Sequence, residues 1–187
     1  MPIERTEIAA TVSEYLHRYP LERDRLSRLI GALGAGGDIT SRTEFTGHVT
    51  CSAIVLNSAG EVLHIRHNAL GRWLQPGGHI ESRDSSLAQA AYREIEEETG
   101  IKPGDLTPLD GNRPLDIDIH AIPANPAKNE ADHWHYDIRY AFTLDRDTSI
   151  TLQVEEVSGY GWHTVERPAS PTLAAKLSML RPRRHES

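Results

Sequence analysis

The sequence predicts an α/β fold in which a mixed β-sheet lies between helices, with a helical appendage before it. Segments with apolar residues at helical spacing alternate with strand-like segments, and turns rich in glycine, proline and asparagine separate them. This order of elements places helices on the faces of a sheet. A chain of 187 residues, 38% of them hydrophobic, is large enough to form one such domain with its own core.

The first 36 residues are predicted to form the helical appendage. Apolar residues recur at helical spacing over residues 5 to 18 and again over residues 21 to 33, and Pro20 separates the two helices. A glycine-rich linker ends the second helix, so the main domain is predicted at residues 37 to 187. Packing or a homodimer contact is the favoured role of the appendage, and covering a substrate is the alternative.

Five segments are predicted to form strands. The first two make a hairpin, because a short turn with asparagine and glycine joins them. The longest strand alternates between an aromatic or aliphatic face and a polar face, as expected when only one face meets the core. The segments are Phe45 to Leu56, Val62 to His67, Leu115 to Ile122, Trp134 to Leu144 and Val157 to Val165.

Two further helices are predicted in the main domain. Helix-forming residues dominate Leu87 to Thr99, and Ser86 with Gln89 three residues later is typical of a capping box at the start of a helix. Gly100 then closes this helix. The second helix is predicted over Thr172 to Leu180.

Three carboxylates define the most informative segment, Gly77 to Ile101. Glu94, Glu97 and Glu98 stand at positions i, i+3 and i+4, so they are predicted to converge on one helical face within reach of one divalent ion. Their mutual repulsion favours a bound cation, and oxygen ligands suit Mg²⁺ or Mn²⁺ better than Zn²⁺. A solvated acidic face is the alternative, but the glycines on both sides of the helix disfavour it.

This segment resembles the signature box of the Nudix hydrolases. Asp84 stands where that family usually has Glu, and eight residues rather than seven separate it from Arg93. The resemblance extends weakly over residues 45 to 165 and implies the Nudix α/β/α sandwich and hydrolysis of a diphosphate linkage. The positions that carry the resemblance are Gly78, Asp84, Arg93, Glu94, Ile95, Glu97, Glu98, Gly100 and Ile101.

The helix acids are the candidate catalytic and metal-binding groups. Glu97 and Glu98 are the first choices as Mg²⁺ ligands. Glu94 is either a third ligand or the group that orients and deprotonates water, and the sequence leaves both roles open. Glu96 is predicted to face solvent, since helix geometry turns it away from the other three acids.

Arg93 is the fourth candidate in the catalytic set, because it could pair with a carboxylate and hold the acids ionised. The resemblance suggests Asp84 as its partner, whereas capping of the helix by Asp84 is the alternative. The resemblance also implies a metal ligand from a later loop. Glu155 and Glu156 precede the last strand, and Glu156 is kept as the candidate, against an exposed acidic loop.

Five residues are candidates for substrate binding. Gly77 and Gly78 allow the backbone to turn tightly and to approach a ligand closely. His79 could contact a phosphate, although a surface histidine beside a turn is the alternative. On the polar face of the long strand, His135 and Arg139 could line a pocket, where Arg139 suits a phosphate or carboxylate. A merely polar outer face is the other interpretation.

A zinc site is a weaker hypothesis. His133 and His135 form a His-x-His pair on a predicted strand, and His120 could join them. No matching His or Cys pair occurs at a usual spacing, so we favour magnesium at the carboxylates.

Charge and composition limit the function further. The net charge of −7 argues against a nucleic-acid partner, and the basic segment Arg181 to His185 is predicted to be a mobile tail. No segment reaches the roughly 18 apolar residues that span a membrane. Cys51 is the single cysteine, which fits a reducing cytoplasm.

The sequence therefore predicts a magnesium-dependent enzyme whose substrate is a nucleoside diphosphate linked to another group, such as a nucleotide sugar or ADP-ribose. The intact set of box acids favours catalysis. The alternative is a catalytically silent Nudix-fold nucleotide sensor that acts on a protein partner through its N-terminal helices.

Overall fold

The structure, a computed structural model, describes residues 2–68, 70–144, 148–164 and 171–180. Its helices are α1 (Arg5–Arg18), α2 (Ser27–Gly34), α3 (Leu87–Thr99) and α4 (Pro171–Leu180). Its strands are β1 (His48–Leu56), β2 (Val62–His67), β3 (Arg72–Leu74), β4 (Gly77–His79), β5 (Leu106–Asn112), β6 (Asp116–Ile122), β7 (His133–Leu144) and β8 (Val157–His163).

The strands form one mixed sheet, as predicted. Its main path runs β3-β2-β1-β7-β5, while β4 pairs with β1, β6 with β7 and β8 with β2. β1 and β7 are parallel, from the pair His48 and His135 to the pair Leu56 and Thr143. The other pairings among the described strands are antiparallel. The parallel pairing matters for function because it places polar residues of β1 and β7 side by side.

Helices cover both faces of the sheet, which confirms the α/β/α arrangement. On one face, α1, α2 and α3 share a large apolar cluster with the sheet, in which the rings of Tyr92 and Phe142 lie 4.5 Å apart. On the other face, Leu173 and Leu177 of α4 pack with Ile54 and other residues of the strands. The alternating pattern of β7 agrees with this arrangement of the two faces, because its aromatic and aliphatic residues belong to the larger cluster.

The capping signals of α3 operate as predicted at one end and in part at the other. The Ser86 side chain accepts the N–H of Gln89 at 3.1 Å. The Gln89 side chain accepts the N–H of Ser85 at 2.6 Å, not that of Ser86, so the capping box is not reciprocal. Gly100 ends the helix at a φ of 71°, a conformation that favours glycine.

The second N-terminal helix is shorter than predicted. It begins at Ser27 instead of residue 21, because a 3₁₀ turn and further turns precede it. Tertiary contacts override the helix propensity of this stretch. Leu26 is fully buried, and Arg25 donates a hydrogen bond to a backbone carbonyl of β6, so these residues pack against the sheet instead of continuing the helix. Buried residues of α1 and α2 belong to the larger cluster. The division of the chain at residue 36 stays a prediction.

Three strands, β3, β4 and β5, were not among the five predicted segments, and two predictions fall outside the described residues. β5 contains Pro108 and Gly111, which are poor strand formers, and it pairs with β7 over only three residues at the edge of the sheet. The last strand ends at His163, whereas Val165 and the basic segment from Arg181 lie outside the described residues. Among the described helices, none is long and apolar enough to cross a membrane.

Candidate active site

The candidate carboxylates all belong to α3. Glu94 and Glu98 are buried with 9% and 2% of their surfaces exposed, whereas Glu97 is exposed. Glu96 is partly exposed and forms a separate ion pair with Lys102, with 2.7 Å between nitrogen and oxygen. The helix therefore places two buried acids against β4 and leaves Glu97 accessible.

Two glycines allow β4 to lie against this helix. The N–H of Gly77 donates to Glu98 Oε2 at 3.0 Å. A Cβ added to Gly78 would stand 2.6 Å from a Glu94 oxygen, and one added to Gly77 would stand 2.8 Å from the carbonyl oxygen of Cys51. Contacts within the protein therefore require glycine at both positions, because a Cβ would collide with these oxygens. A contact of these glycines with a ligand stays a prediction.

Arg93 connects the helix acids to the loop before the helix. Its Nε and Nη2 donate to the two oxygens of Asp84 at 2.9 and 3.0 Å, and Nη2 also donates to the carbonyl of His79 at 2.8 Å. Its Nη1 donates to Glu94 at 2.8 Å and to Glu97 at 2.9 Å. The pair suggested by the resemblance is formed despite the extra residue, and Ser86, not Asp84, caps the helix.

Burial makes the two inner acids unusually basic. It raises the pKa of Glu94 to about 7 and that of Glu98 to about 8, and repulsion between the neighbouring carboxylates adds to both shifts. Such a pair is stabilised by a nearby cation. All these donors are carboxylate oxygens, which are the ligands that Mg²⁺ and Mn²⁺ prefer, so their chemistry fits a divalent ion. Among the described residues, however, the oxygens of Glu94, Glu97 and Glu98 do not all lie within 4.8 Å of one another, so the close convergence predicted from the helix spacing is not seen. In the structure, Glu97 instead pairs with Arg83 and Arg93.

The structure brings Glu156 towards the same helix. The N–H of Thr151 donates to the carbonyl of Thr99 at 2.9 Å, and that of Gln153 approaches the carbonyl of Glu98 at 3.4 Å. These bonds hold the loop before β8 at the end of α3. The Glu156 charge contributes to the raised pKa of Glu98. Its role as a metal ligand stays a prediction.

Arg139 is enclosed by acidic residues of the protein. Only 7% of its surface is exposed. Its guanidinium donates to Asp137 at 2.8 Å, to Asp118 at 3.0 Å and to Asp116 at 3.5 Å. The positive charge is thus already matched within the sheet, and substrate binding by Arg139 stays a prediction.

The other two substrate candidates, His79 and His135, lie in a cluster of histidines. Nitrogens of His48, His133 and His135 all lie within 4.8 Å of one another, and the His79 ring is 5.3 Å from that of His135. Burial lowers the pKa of His79 to about 4 and that of His135 to about 2. His48 was missed from the sequence, which pointed to His120. Only the pairing of β1 with β7 places His48 beside His135.

Comparison with known proteins gives a family and partial relatives. The family model described as NUDIX domain matches residues 46–181. A probable DHNTP pyrophosphohydrolase of Lactococcus lactis subsp. cremoris is 34% identical over 97 residues, which are 52% of this chain and 54% of that protein. The phosphatase NudJ of Escherichia coli K12 is 42% identical over 59 residues, 30% of this chain and 37% of NudJ. The chain thus spans about half or less of these curated relatives.

Solved structures share the fold. A binary complex of a C. elegans Ap4A hydrolase aligns with a TM-score of 0.54 and 19% identity, covering 70% of this chain and 95% of that one. The E. coli dihydroneopterin triphosphate pyrophosphohydrolase aligns with a TM-score of 0.53 and 17% identity, covering 70% and 92%. At these identities the likeness supports the architecture and not the substrate.

Proposed function

Because this chain belongs to the Nudix family, we propose that it is a Mg²⁺- or Mn²⁺-dependent hydrolase that cleaves a diphosphate linkage in a nucleoside diphosphate joined to another group. The family match confirms the resemblance found in the sequence. The observation that carries the proposed activity is the set of three α3 carboxylates, two of which are buried beside Gly77 and Gly78. Curated relatives named as a pyrophosphohydrolase and a phosphatase agree with this chemistry.

The proposed metal ligands are Glu97, Glu98 and Glu156, and Glu94 is a fourth ligand only if another group accepts the proton from water. When bound, the metal would neutralise phosphate oxygens that otherwise repel an incoming nucleophile. Glu97 is the most accessible of the three proposed ligands on α3, and its present partners are the side chains of Arg83 and Arg93. It can therefore exchange an ion pair for a metal by rotating its own side chain.

Glu94 is the proposed proton acceptor. Its raised pKa, about 7, lies near neutral pH, where a carboxylate accepts a proton from water most effectively. A bond then forms between the water oxygen and one phosphorus, the bridging P–O bond breaks, and the second phosphate leaves with the bridging oxygen. Arg93 is a positioning residue, because Asp84 fixes its guanidinium while Nη1 holds Glu94 and Glu97.

Binding of the remaining substrate is proposed for Gly77, Gly78, His79, His135 and Arg139. Because aspartates already neutralise the Arg139 charge, the metal and the backbone of Gly77 and Gly78 would make most of the contacts with phosphate. A reducing compartment such as the cytoplasm is proposed from the single, buried Cys51. A homodimer contact of the N-terminal helices stays a proposal.

A substrate panel tests the proposed activity. We expect metal-dependent turnover of at least one of four substrate classes, which are nucleotide sugars, ADP-ribose, dinucleoside polyphosphates and nucleoside triphosphates. Phosphorus magnetic resonance in ¹⁸O-labelled water identifies both the substrate and the phosphorus that is attacked. Tight binding in calorimetry without turnover of any substrate would contradict the proposal and favour the nucleotide sensor.

The raised pKa values predict that Mg²⁺ binding strengthens with pH. Protonated Glu94 and Glu98 cannot bind a metal, so between pH 6 and 9 the affinity should rise by up to about tenfold per pH unit for each proton released. Without metal, these raised pKa values favour the folded state below an ordinary glutamate pKa, and this contribution is lost as pH rises through about 7 and 8. Mg²⁺ should therefore raise Tm more at pH 8.5 than at pH 6.

Thermal melts and calorimetric titrations at several pH values measure this effect. The Glu98→Gln variant serves as the matched control, because it lacks one of the two titrating groups and should show a weaker pH dependence. An equal Mg²⁺ affinity at pH 6 and pH 9 in the parent protein would count against binding at these acids.

A further inference from the structure

Histidines from three strands gather at one end of the sheet. His48 begins β1, His133 and His135 lie two residues apart on β7, and His79 ends β4. The rings of His48 and His133 are stacked with centroids 4.9 Å apart, and those of His48 and His135 lie 4.7 Å apart. Among the described residues, His48, His133 and His135 form the one group of three or more possible metal ligands this close together.

Two of these rings are oriented by backbone carbonyls. The Nδ1 of His133 lies 2.7 Å from the carbonyl oxygen of Ala131, and the Nδ1 of His48 lies 3.2 Å from that of Glu44. A carbonyl oxygen only accepts, so Nδ1 carries the hydrogen in both rings. In the neutral rings the lone pair is then on Nε2. Metal-binding histidines commonly have such a carbonyl partner on the other nitrogen.

The Nε2 atom of His48 is a buried polar atom whose hydrogen-bonding capacity is not satisfied. His48 is buried, with 1% of its surface exposed, and its Nε2 has no hydrogen-bond partner among the described residues. A buried polar atom without a partner is costly. The Nε2 atoms of His133 and His135 lie 3.2 Å apart, close to the roughly 3.4 Å between two ligands of a tetrahedral zinc ion. A hydrogen bond would explain that pair but would leave His48 unsatisfied.

We propose that His48, His133 and His135 bind a divalent transition-metal ion such as Zn²⁺ at a site separate from the α3 carboxylates. Neutral imidazole nitrogens suit zinc, copper and nickel, whereas magnesium prefers oxygen. The His79 ring is 5.1 Å from that of His48 and 5.3 Å from that of His135, so it is the candidate fourth ligand. With the metal bound, His79 and His135 would act as its ligands instead of contacting the substrate.

This site adjoins the candidate active site through β4. The backbone carbonyl of His79 accepts a hydrogen bond from Arg93, and Gly77 and Gly78 precede His79 on the same short strand. A metal at the histidines would therefore hold the end of the strand that lies against Glu94 and Glu98. The proposal does not depend on hydrolysis and is tested without a substrate.

Zinc binding by the full chain, prepared without a histidine tag, tests the site. After removal of metal with a chelator, the protein is titrated with ZnCl₂ and its bound metal is measured after dialysis. We expect one zinc per chain to remain. A His133→Asn/His135→Asn double variant should bind zinc at least about 100-fold more weakly. His17→Asn, which removes an exposed histidine of α1, should bind as the parent does.

Two further variants keep the result unambiguous. Circular dichroism of the metal-free proteins checks folding, and His48→Gln replaces the double variant if that variant does not fold. Glu98→Gln should retain zinc, which separates this site from the carboxylate site and from the proposed hydrolysis. If the parent retains no zinc, or if the folded histidine variants retain as much as the parent, the proposal is overturned.

Discussion

Replacing Glu98 with glutamine is expected to lower kcat/KM at least about 100-fold while the protein stays folded. Glutamine has the same shape as glutamate, and its carbonyl oxygen can accept the Gly77 N–H that Glu98 accepts at 3.0 Å. The substitution therefore keeps β4 against α3 and removes only the negative charge. That charge is the part a divalent ion requires. Steady-state kinetics at saturating metal, with the substrate identified by the panel, measure the loss.

Glu96→Gln is the matched control for this experiment. Glu96 lies on the same helix and carries the same group, but it pairs with Lys102 and takes no part in the proposed chemistry. We expect its kinetics to match those of the parent. Equal activity of the Glu98→Gln variant and the parent would contradict the catalytic role of Glu98. An equal loss of activity in the Glu98→Gln and Glu96→Gln variants would indicate a general effect of helix charge.

The local part of the site could be predicted from sequence. The spacing of Glu94, Glu97 and Glu98 fixes their common face, because helix geometry depends only on positions along the chain. Gly100 and Ser86 fix the ends of the same helix for a similar reason. These elements required no knowledge of the sheet.

The parts that depend on strand pairing could not be predicted. The polar face of β7 was predicted, including Asp137, but its neighbours were not, so Asp116 and Asp118 beside Arg139 and the histidine that joins His133 and His135 were missed. His48 and His135 are separated by most of the sheet's sequence and meet only because β1 and β7 run parallel. The 10 histidines of this chain could have suggested a histidine site, but which of them lie together depends on the order and direction of the strands.

The pair of Asp84 and Arg93 is expected to contribute strongly to stability. Arg93→Ala should lower the free energy of unfolding by about 3–5 kcal/mol, because it leaves a buried carboxylate without its cation. The Asp84 side chain is 1% exposed, and the Arg93 side chain is 11% exposed. Both Asp84 oxygens accept from the guanidinium at 2.9 and 3.0 Å, a two-point contact that lysine cannot reproduce. Urea unfolding monitored by circular dichroism measures the change.

Arg83→Ala provides the comparison, because Arg83 also pairs with Glu97 and with Glu81 but its side chain is 62% exposed. Exposed ion pairs contribute about 0–1 kcal/mol, so this variant should unfold close to the parent. A shorter acid at position 84, displaced by one extra residue, thus performs the pairing that the family pattern implies for a glutamate. If Arg93→Ala were no less stable than Arg83→Ala, the buried pair would have no structural role, and the link between Asp84 and the α3 acids would have to be abandoned.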